Sequence, residues 1–523
     1  MRGIVKCFGS LLAPIARQFY RALENPQQAQ SAVQQQLVQR LQRCEYGRQF
    51  QVRNLEDWHR LPIVSYEDLQ PYIEDLPNSQ IPLTPEPVLF YEPTSGSSGP
   101  IKRIPYTRSL RRSFNHLFCV WAHDLITHGP CFSSGKLYFS ISPTFSDSNS
   151  ATGTTDDSDY LDPWLRWLLK PFLVISPPTT TPADFKKALA RTLLKAENLE
   201  IISIWSPSFL TAQLDYIQSH KEQLYGELKD DMSVKRSHLL LQTQIPWTDL
   251  WPRLKLISCW DSAMAADGAD GLRQLFPNVL VQGKGLLATE APMTVPLIAA
   301  KGQVPLLDRV YFEFEDNRGR CHKLHELEIG KTYEVIISQM GGLYRYRMGD
   351  RVRVTHYFLK TPCLEFVGRG QSVSDLVGEK LNAQFVCDRL KKLDLSTAQF
   401  QSLIPVLQPQ PHYVLLLDRV NGDIGAIAQA LENALCESFH YRLARQLDQL
   451  TSVQVIVSSN VAEQLSAYRA QSGQRWGEVK HARLGSAVQS LSFLVGRLAT
   501  ASKLSPTFMA TRMINDPLVN NIL

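Results

Sequence analysis

Paired cysteine motifs are missing from this chain. Its nine cysteines, at positions 7, 44, 119, 131, 259, 321, 363, 387 and 436, are odd in number, widely scattered and never spaced CxxC. That pattern excludes a disulfide framework and a cysteine zinc site, and it points to a reducing compartment. No apolar run approaches the ~20 residues of a membrane span. No block of Lys and Arg occurs and the net charge is only +5, which leaves nucleic acid little to hold. The twelve histidines contain no HxxxH, and His322 with His325 has no third ligand nearby in sequence. A Walker A loop and a GxSxG elbow are both absent, and no Ser/His/Asp order suggests a hydrolase. No internal repeat is visible.

What remains is an ordinary globular composition, 44% apolar and 20% charged, in a chain too long for a single core. We read it as a cytoplasmic protein of two domains with no stable membrane association. Nothing points to an oligomeric state. The first 23 residues carry Arg2, Lys6, Arg17 and Arg21 and no acid. A transit peptide or membrane-surface helix would look like this, but Pro14 interrupts a short apolar stretch, which favours a plain helix packed on the body.

Periodicity predicts a helix over 29–44 and buried strands at 137–141, 199–205, 254–257 and 279–281, with helices from Leu210 and over 263–275. Strand, helix, strand in that order predicts a parallel sheet with crossover helices. Residues 143–159 form a long polar stretch that reads as a lip near a site. From 304 to 367, short strands broken by glycine and polar turns predict an antiparallel sheet or small barrel. Past residue 370 the pattern resets into a compact α+β unit, with strands at 413–417 and 453–457 and a helix through Ile424 and Leu435. Trp164 and Trp167 read as core. The expected fold class is therefore α/β, with a large domain over 1–370 and a smaller one over 371–523.

The most informative stretch is Thr94-Ser95-Gly96-Ser97-Ser98-Gly99-Pro100-Ile101-Lys102. Glycines let main-chain N–H groups press against an anion, hydroxyls add rotatable donors, and Lys102 adds a point charge. Both flanks read as extended, so the run joins strands. A flexible Ser/Gly turn has the same composition. Further along come Gly285-Leu286-Leu287-Ala288-Thr289-Glu290, the run from Gly342 to Asp350, Phe366-Val367-Gly368-Arg369, Ser374 to Leu381, and Gly477-Glu478-Val479-Lys480.

In this order the motifs resemble the adenylate-forming superfamily of acyl-CoA ligases and luciferases. Tyr311-Phe312-Glu313-Phe314, the GLYRYRMGD run and Ser374 to Leu381 narrow the resemblance to the auxin-responsive acyl-acid amido synthetases of plants and bacteria. The similarity spans about residues 55–485. It implies a small C-terminal domain that closes over a large N-terminal one. It also implies ATP and Mg²⁺ as cofactors and two substrates, a small carboxylic acid and an amine, expected to be an amino acid.

Each motif then takes an implied role. The loop of Thr94, Ser95, Gly96, Ser97, Ser98, Gly99 and Lys102 cradles the β- and γ-phosphates. Thr289 contacts the α-phosphate and Glu290 holds Mg²⁺. Leu286 or Leu287 stands where many relatives stack an aromatic on adenine. Asp350 takes both ribose hydroxyls, although Gly349-Asp350 standing alone also suits a type I turn. Arg369 adds a ribose or phosphate contact. Lys480 bridges the acyl carboxylate and the α-phosphate, with Ala482 where relatives often have proline. Arg345 and Arg347 alternate along a strand and so share one face, and they read as packing or salt-bridge partners rather than catalytic groups. The acyl pocket draws on Phe118 to His123 and Cys259 to Ala263. Two rival functions stay open: an acyl-CoA ligase using the same first half-reaction, and a non-catalytic nucleotide-binding protein of the same fold.

Overall fold

In the computed structural model, the described residues are 2–73, 82–94, 102–139, 162–177, 182–262, 265–369, 373, 374, 376, 379, 381–407, 410–446, 450–471, 483–485, 488 and 491. The chain divides into two compact units that part after residue 370.

The first unit opens with α1 (Arg2–Glu24), α2 (Pro26–Leu41), α3 (Glu45–Gln49) and α4 (Tyr66–Ile73). In α1, Val5, Phe8, Leu12, Ala16, Phe19 and Leu23 are buried at steps of three and four. This stripe faces the body while Lys6, Arg17 and Arg21 stay exposed. The N-terminus is thus a packed helix, and Pro14 sits on its exposed side. α2 starts earlier than its periodicity suggested because Pro26 fits the first turn, where no N–H is needed.

Next, β1 (Val88–Thr94) and β2 (Lys102–Thr107) pair antiparallel with Thr94 opposite Lys102. The flanks of the Ser/Gly run are extended, as expected. The Thr107 hydroxyl then accepts from Leu110 N and caps α5 (Arg108–His128). This helix joins several cores: Phe114 and Leu117 enter the largest, Leu125 a second and Cys119 a third.

Strands β3 (Lys136–Phe139), β4 (Leu173–Val174), β5 (Leu199–Ser203), β6 (Leu256–Cys259) and β7 (Leu280–Gly283) form one parallel sheet in the order β4-β3-β5-β6-β7. Helices α6 (Pro163–Leu169), α7 (Pro182–Lys195), α8 (Pro207–Ser219), α9 (Lys221–Leu228), α10 (Val234–Ser237), α11 (Trp247–Leu250) and α12 (Ala266–Leu275) lie between them in sequence. The chain steps from β3 out to β4, then back past β3 to β5. Strand order therefore reverses at β3, which makes a topological switch point between β3 and β5. Two expectations are corrected here. Trp164 and Trp167 are 47% and 75% exposed. They lie three apart on one face of the short α6, while Leu165 turns inward.

After two hairpins, β8 (Leu287–Ala288) with β9 (Ala291–Pro292) and β10 (Thr294–Leu297) with β11 (Gly302–Pro305), comes the antiparallel sheet. Its order is β13-β12-β14-β15-β16, from β12 (Val310–Glu315), β13 (Cys321–Lys323), β14 (Thr332–Gln339), β15 (Tyr346–Phe358) and β16 (Thr361–Arg369). Residues of α2 and α5 share its core.

The second unit contains β17 (Val373–Ser374), β18 (Leu381–Asn382), α13 (Ala383–Leu390), β19 (Gln401–Val406), β20 (His412–Leu417), α14 (Ile424–Leu435), α15 (Phe439–Gln446), β21 (Gln454–Val457) and α16 (Val461–Gln471). β20 is the middle strand, antiparallel to β19 and parallel to β21. Its side chains alternate between two cores, Tyr413, Leu415 and Leu417 in one and Val414 and Leu416 in the other.

Candidate active site

The pairing of Ala288 with Ala291 and of Leu287 with Pro292 leaves Thr289 and Glu290 as a two-residue turn. Local chemistry builds it. Gly285 has φ +69, and a Cβ there would run into Thr294 Oγ1 and the Gln303 amide, so only glycine suits. Leu286 N donates to Thr294 Oγ1 at 2.7 Å, tying the chain before the turn to the strand after it. Glu290 is buried although it occupies a turn.

A second element reaches the same turn. Tyr106, on the strand leaving the Ser/Gly run, donates its hydroxyl to Thr289 O at 2.8 Å. Its ring has no exposure and stacks between Phe90 at 4.9 Å and Phe114 at 5.8 Å. One hydroxyl therefore joins the base of the 94–102 segment to the Thr289-Glu290 turn. Lys102 lies 5.4 Å over the Tyr66 ring and 4.0 Å from Glu67. Ser95, Gly96, Ser97, Ser98 and Gly99 lie outside the described residues, as do the 143–159 stretch, Ala263 and Lys480. The Thr94 backbone is described and its side chain is not.

Asp350 is not in a type I turn. It sits within β15, buried, and the register sets it opposite Arg369 of β16. Gly349 at φ +73 and Gly368 at φ +136 precede the two residues, and a bulge follows between Arg351 and Val352. The Arg369 side chain is not among those described.

The two arginines of the GLYRYRMGD run are salt-bridge partners. Arg345 precedes β15 with a left-handed φ of +47, so it is not within the strand as expected. It still reaches Glu313 with two bonds of 2.9 and 3.0 Å, and it donates to Leu61 O at 2.7 Å. Arg347 pairs with Glu315 and Glu334.

The motif from Ser374 to Leu381 lies in the second unit. Its Glu379 has no exposure and accepts from Leu376 N at 2.7 Å and from Tyr413 Oη, which lies 2.7 Å from Ser374 Oγ. Asp375, Val377, Gly378 and Lys380 lie outside the described residues.

The carboxyl ends of the parallel strands hold residues that sequence reasoning missed. Lys284 directly follows β7, and its ammonium donates to Ser203 Oγ at the end of β5 at 2.7 Å. It lies 5.3 Å over the Phe139 ring and 4.9 Å over the Trp205 ring. The side chain is almost fully buried. From α5, Phe118 packs edge-on against Phe139 and Trp121 Nε1 donates to Gln282 Oε1 at 3.0 Å. The α5 segment named for the acyl pocket thus reaches the ends of β3 and β7. Cys259, at the end of β6, is fully buried, and burial pushes its thiol up to about 12. Burial also raises the Asp261 carboxyl, against the pull of Arg273 at 3.2 Å. The signal for Lys284 was a single lysine between two glycines just after a buried strand.

Among the described residues, no group of three or more His, Cys, Asp or Glu could hold a metal ion. His322 bonds Asp316 at 3.1 Å. No described helix is long and apolar enough to cross a membrane.

Three family domains match the chain in order: the GH3 family N-terminal domain over residues 15–281, the central domain over 303–369 and the C-terminal domain over 382–488. Among curated relatives, indole-3-acetic acid-amido synthetase GH3.15 of Arabidopsis thaliana is 24% identical over 474 residues, covering 75% of this chain and 77% of its own length. The 4-substituted benzoates-glutamate ligase GH3.12 of the same plant is 22% identical over 415 residues, covering 68% and 72%. Among solved structures, the GH3.15 acyl acid amido synthetase in complex with 2,4-DB superposes with a TM-score of 0.76 at 20% identity, over 95% of this chain and 96% of that one. A 2-hydroxyisobutyryl-CoA ligase in its postadenylation state gives a TM-score of 0.50 at 13% identity, over 91% and 92%.

Proposed function

This chain belongs to the GH3 family, and from that membership we propose that it is an ATP-dependent ligase that adenylates a small carboxylic acid and passes the acyl group to an amino acid. A carboxylate resists attack by amines because its leaving group is poor and its charge repels nucleophiles. Joining it to AMP supplies a good leaving group, with pyrophosphate released. Two anions must meet in that step, so a site contributes mainly by positioning and charge neutralisation.

The observation that carries this reading is the Tyr106–Thr289 bond. It brings together the strand leaving the Ser/Gly run and the Thr289-Glu290 turn, two segments 183 residues apart in sequence. Ser95 to Gly99 and Lys102 would hold the β- and γ-phosphates, and the Thr289 hydroxyl the α-phosphate. Glu290 would hold Mg²⁺. A single buried carboxylate suits that ion, which takes one or two carboxylates together with phosphate oxygens and keeps several waters. When bound, the ion draws charge off the phosphate oxygens. Asp350 offers two oxygens to the ribose diol, with Arg369 beside it in register. Lys480 would neutralise charge where carboxylate and α-phosphate meet. In this scheme residues 1–370 bind ATP and the acid, and residues 371–523 form a mobile domain that carries Lys480. Nine cysteines without a disulfide favour a cytoplasmic setting.

Pyrophosphate release from Mg-ATP, measured over a panel of carboxylic acids with and without pooled amino acids, tests the proposal. Acid-dependent release that rises with amino acids is the expected result. A rise with coenzyme A instead would make the protein an acyl-CoA ligase. ATP binding with no release for any acid would make it a nucleotide-binding protein without turnover.

A further inference from the structure

Strand β19 pairs with β20 on one side, and its other side takes up a segment from near the end of the described chain. Leu403 N donates to Arg483 O at 2.7 Å, and Gly485 N donates to Leu403 O at 2.8 Å. Further along, Val488 N donates to Pro405 O at 2.9 Å and Leu407 N to Val488 O at 3.0 Å. Parallel bridges set Leu484 beside Leu403 and Val488 beside Val406. Three steps on β19 thus match four on the incoming segment, the extra residue that makes a bulge. The packing shows what the bulge does. Positions four apart on a regular strand share a face. Here Leu484 enters the core that holds Leu403, while Val488 enters the core that holds Val406. Both are buried. A slip of one residue would turn these anchors out of their cores, so the register is fixed at two points.

Lys480 stands three residues before Arg483. Three residues of chain reach at most about 11 Å, so the bonded segment tethers the lysine to the edge of β19. We propose that this edge pairing positions Lys480 for adenylation, with Gly485 as the positioning residue whose N–H holds the segment to Leu403. This rests on the Lys480 role proposed above and deepens it. A charge-neutralising ammonium helps only where it arrives in place, and a misplacement of about 1 Å costs on the order of 10²-fold in rate. Gly485 is buried, and a Cβ there would come 3.0 Å from Arg469 Nη2, the far end of a side chain that can shift.

Gly485→Pro removes the N–H that bonds Leu403 O, whereas Gly485→Ala keeps it. Pyrophosphate release is measured with Mg-ATP and the most active acid of the panel above. Gly485→Pro should lower kcat roughly 30-fold or more, with ATP affinity by calorimetry and the Gly485→Ala rate both within about threefold of the unaltered chain. Combined with Lys480→Ala, it should cause no loss beyond that of Lys480→Ala alone, because groups that act as a unit do not add. Hydrogen exchange on the full chain gives a readout that needs no acid. The Leu403, Gly485 and Val488 amides should exchange slowly, and Gly485→Pro should release Leu403 and Val488. Val488→Asp, which sets a carboxylate in the core, carries the test should Gly485→Pro keep the pairing or fail to fold. Free exchange at these amides in the unaltered chain would overturn the inference. So would an unchanged kcat in a variant whose pairing is released, or losses that add to those of Lys480→Ala. Full release by Lys480→Ala would overturn the role of Lys480 and this inference with it, leaving adenylation standing. Absence of release by the unaltered chain with every acid would overturn adenylation itself, and the positioning role with it.

Discussion

Removing the guanidinium of Arg345 should destabilise the first unit strongly without touching the chemistry. The Arg345 and Glu313 side chains are only 13% and 10% exposed. Two bonds of 2.9 and 3.0 Å join them, a third runs from Arg345 to Leu61 O at 2.7 Å, and Trp58 Nε1 donates to Glu313 at 3.3 Å. Arg345→Met takes away three of these bonds and leaves a nearly buried carboxylate facing one indole. Breaking such a pair from one side costs about 3–5 kcal/mol, against less than about 1 kcal/mol for an exposed bridge. The left-handed backbone at Arg345 remains in the variant, so no strain is released to offset the loss. Urea unfolding followed by tryptophan fluorescence reads the effect, because eight of the nine tryptophans precede residue 370 and Trp58 lies against the pair. The double variant Glu313→Leu with Arg345→Met should recover most of the loss, since neither charge is then stranded. A loss below about 1 kcal/mol in Arg345→Met would refute the argument, because the pair would then behave as a solvated one.

Three further outcomes follow from the same structure. Tyr106→Phe should cost about 1–3 kcal/mol where the Thr289 carbonyl stays buried without a donor; a fall in kcat for pyrophosphate release with KM for ATP little changed would mark the turn as displaced. Asp350→Ala should weaken ATP binding, and Lys480→Ala should abolish adenylation, about 10²–10³ in rate, while ATP still binds; isothermal titration and pyrophosphate release separate the two. Glu200 has its carboxyl held below the usual range: burial raises it, but bonds from Ser133, Ser134 and Gly135 outweigh that. Its folded pKa is depressed, so its contribution is full above the unfolded value of about 4.3 and fades as pH falls below it. Thermal melts from pH 7 to 3 should therefore show a flatter acid limb in Glu200→Gln, from a lower starting point.

Much of this was legible in the sequence. Alternating and fully apolar runs gave away β3, β5 and β20, and Thr289-Glu290 stood out by its resemblance to a family motif, although its place in a two-residue turn was not anticipated. β19 was not legible, since Pro405 reads as a breaker; it is tolerated because its residue still accepts from Val488 N through its carbonyl. Trp164 and Trp167 misled because ring size suggests burial, whereas the face of a seven-residue helix decides it. The facing of Asp350 and Arg369 depends on a register set by two left-handed glycines and a bulge, which local pattern does not encode. Lys284 was overlooked for the ordinary reason that a lone lysine reads as surface; only the neighbouring strand ends, far away in sequence, reveal it as enclosed.

Each unit has apolar cores of its own. Among the described residues, the clusters of the first draw on residues up to Leu364, and those of the second begin at Leu381. Substitutions more than a few side chains apart add in their effects, while neighbours in one core couple. Compensating changes to one core should therefore arise among the residues of that same core. Each half can accordingly adjust its own packing at its own pace.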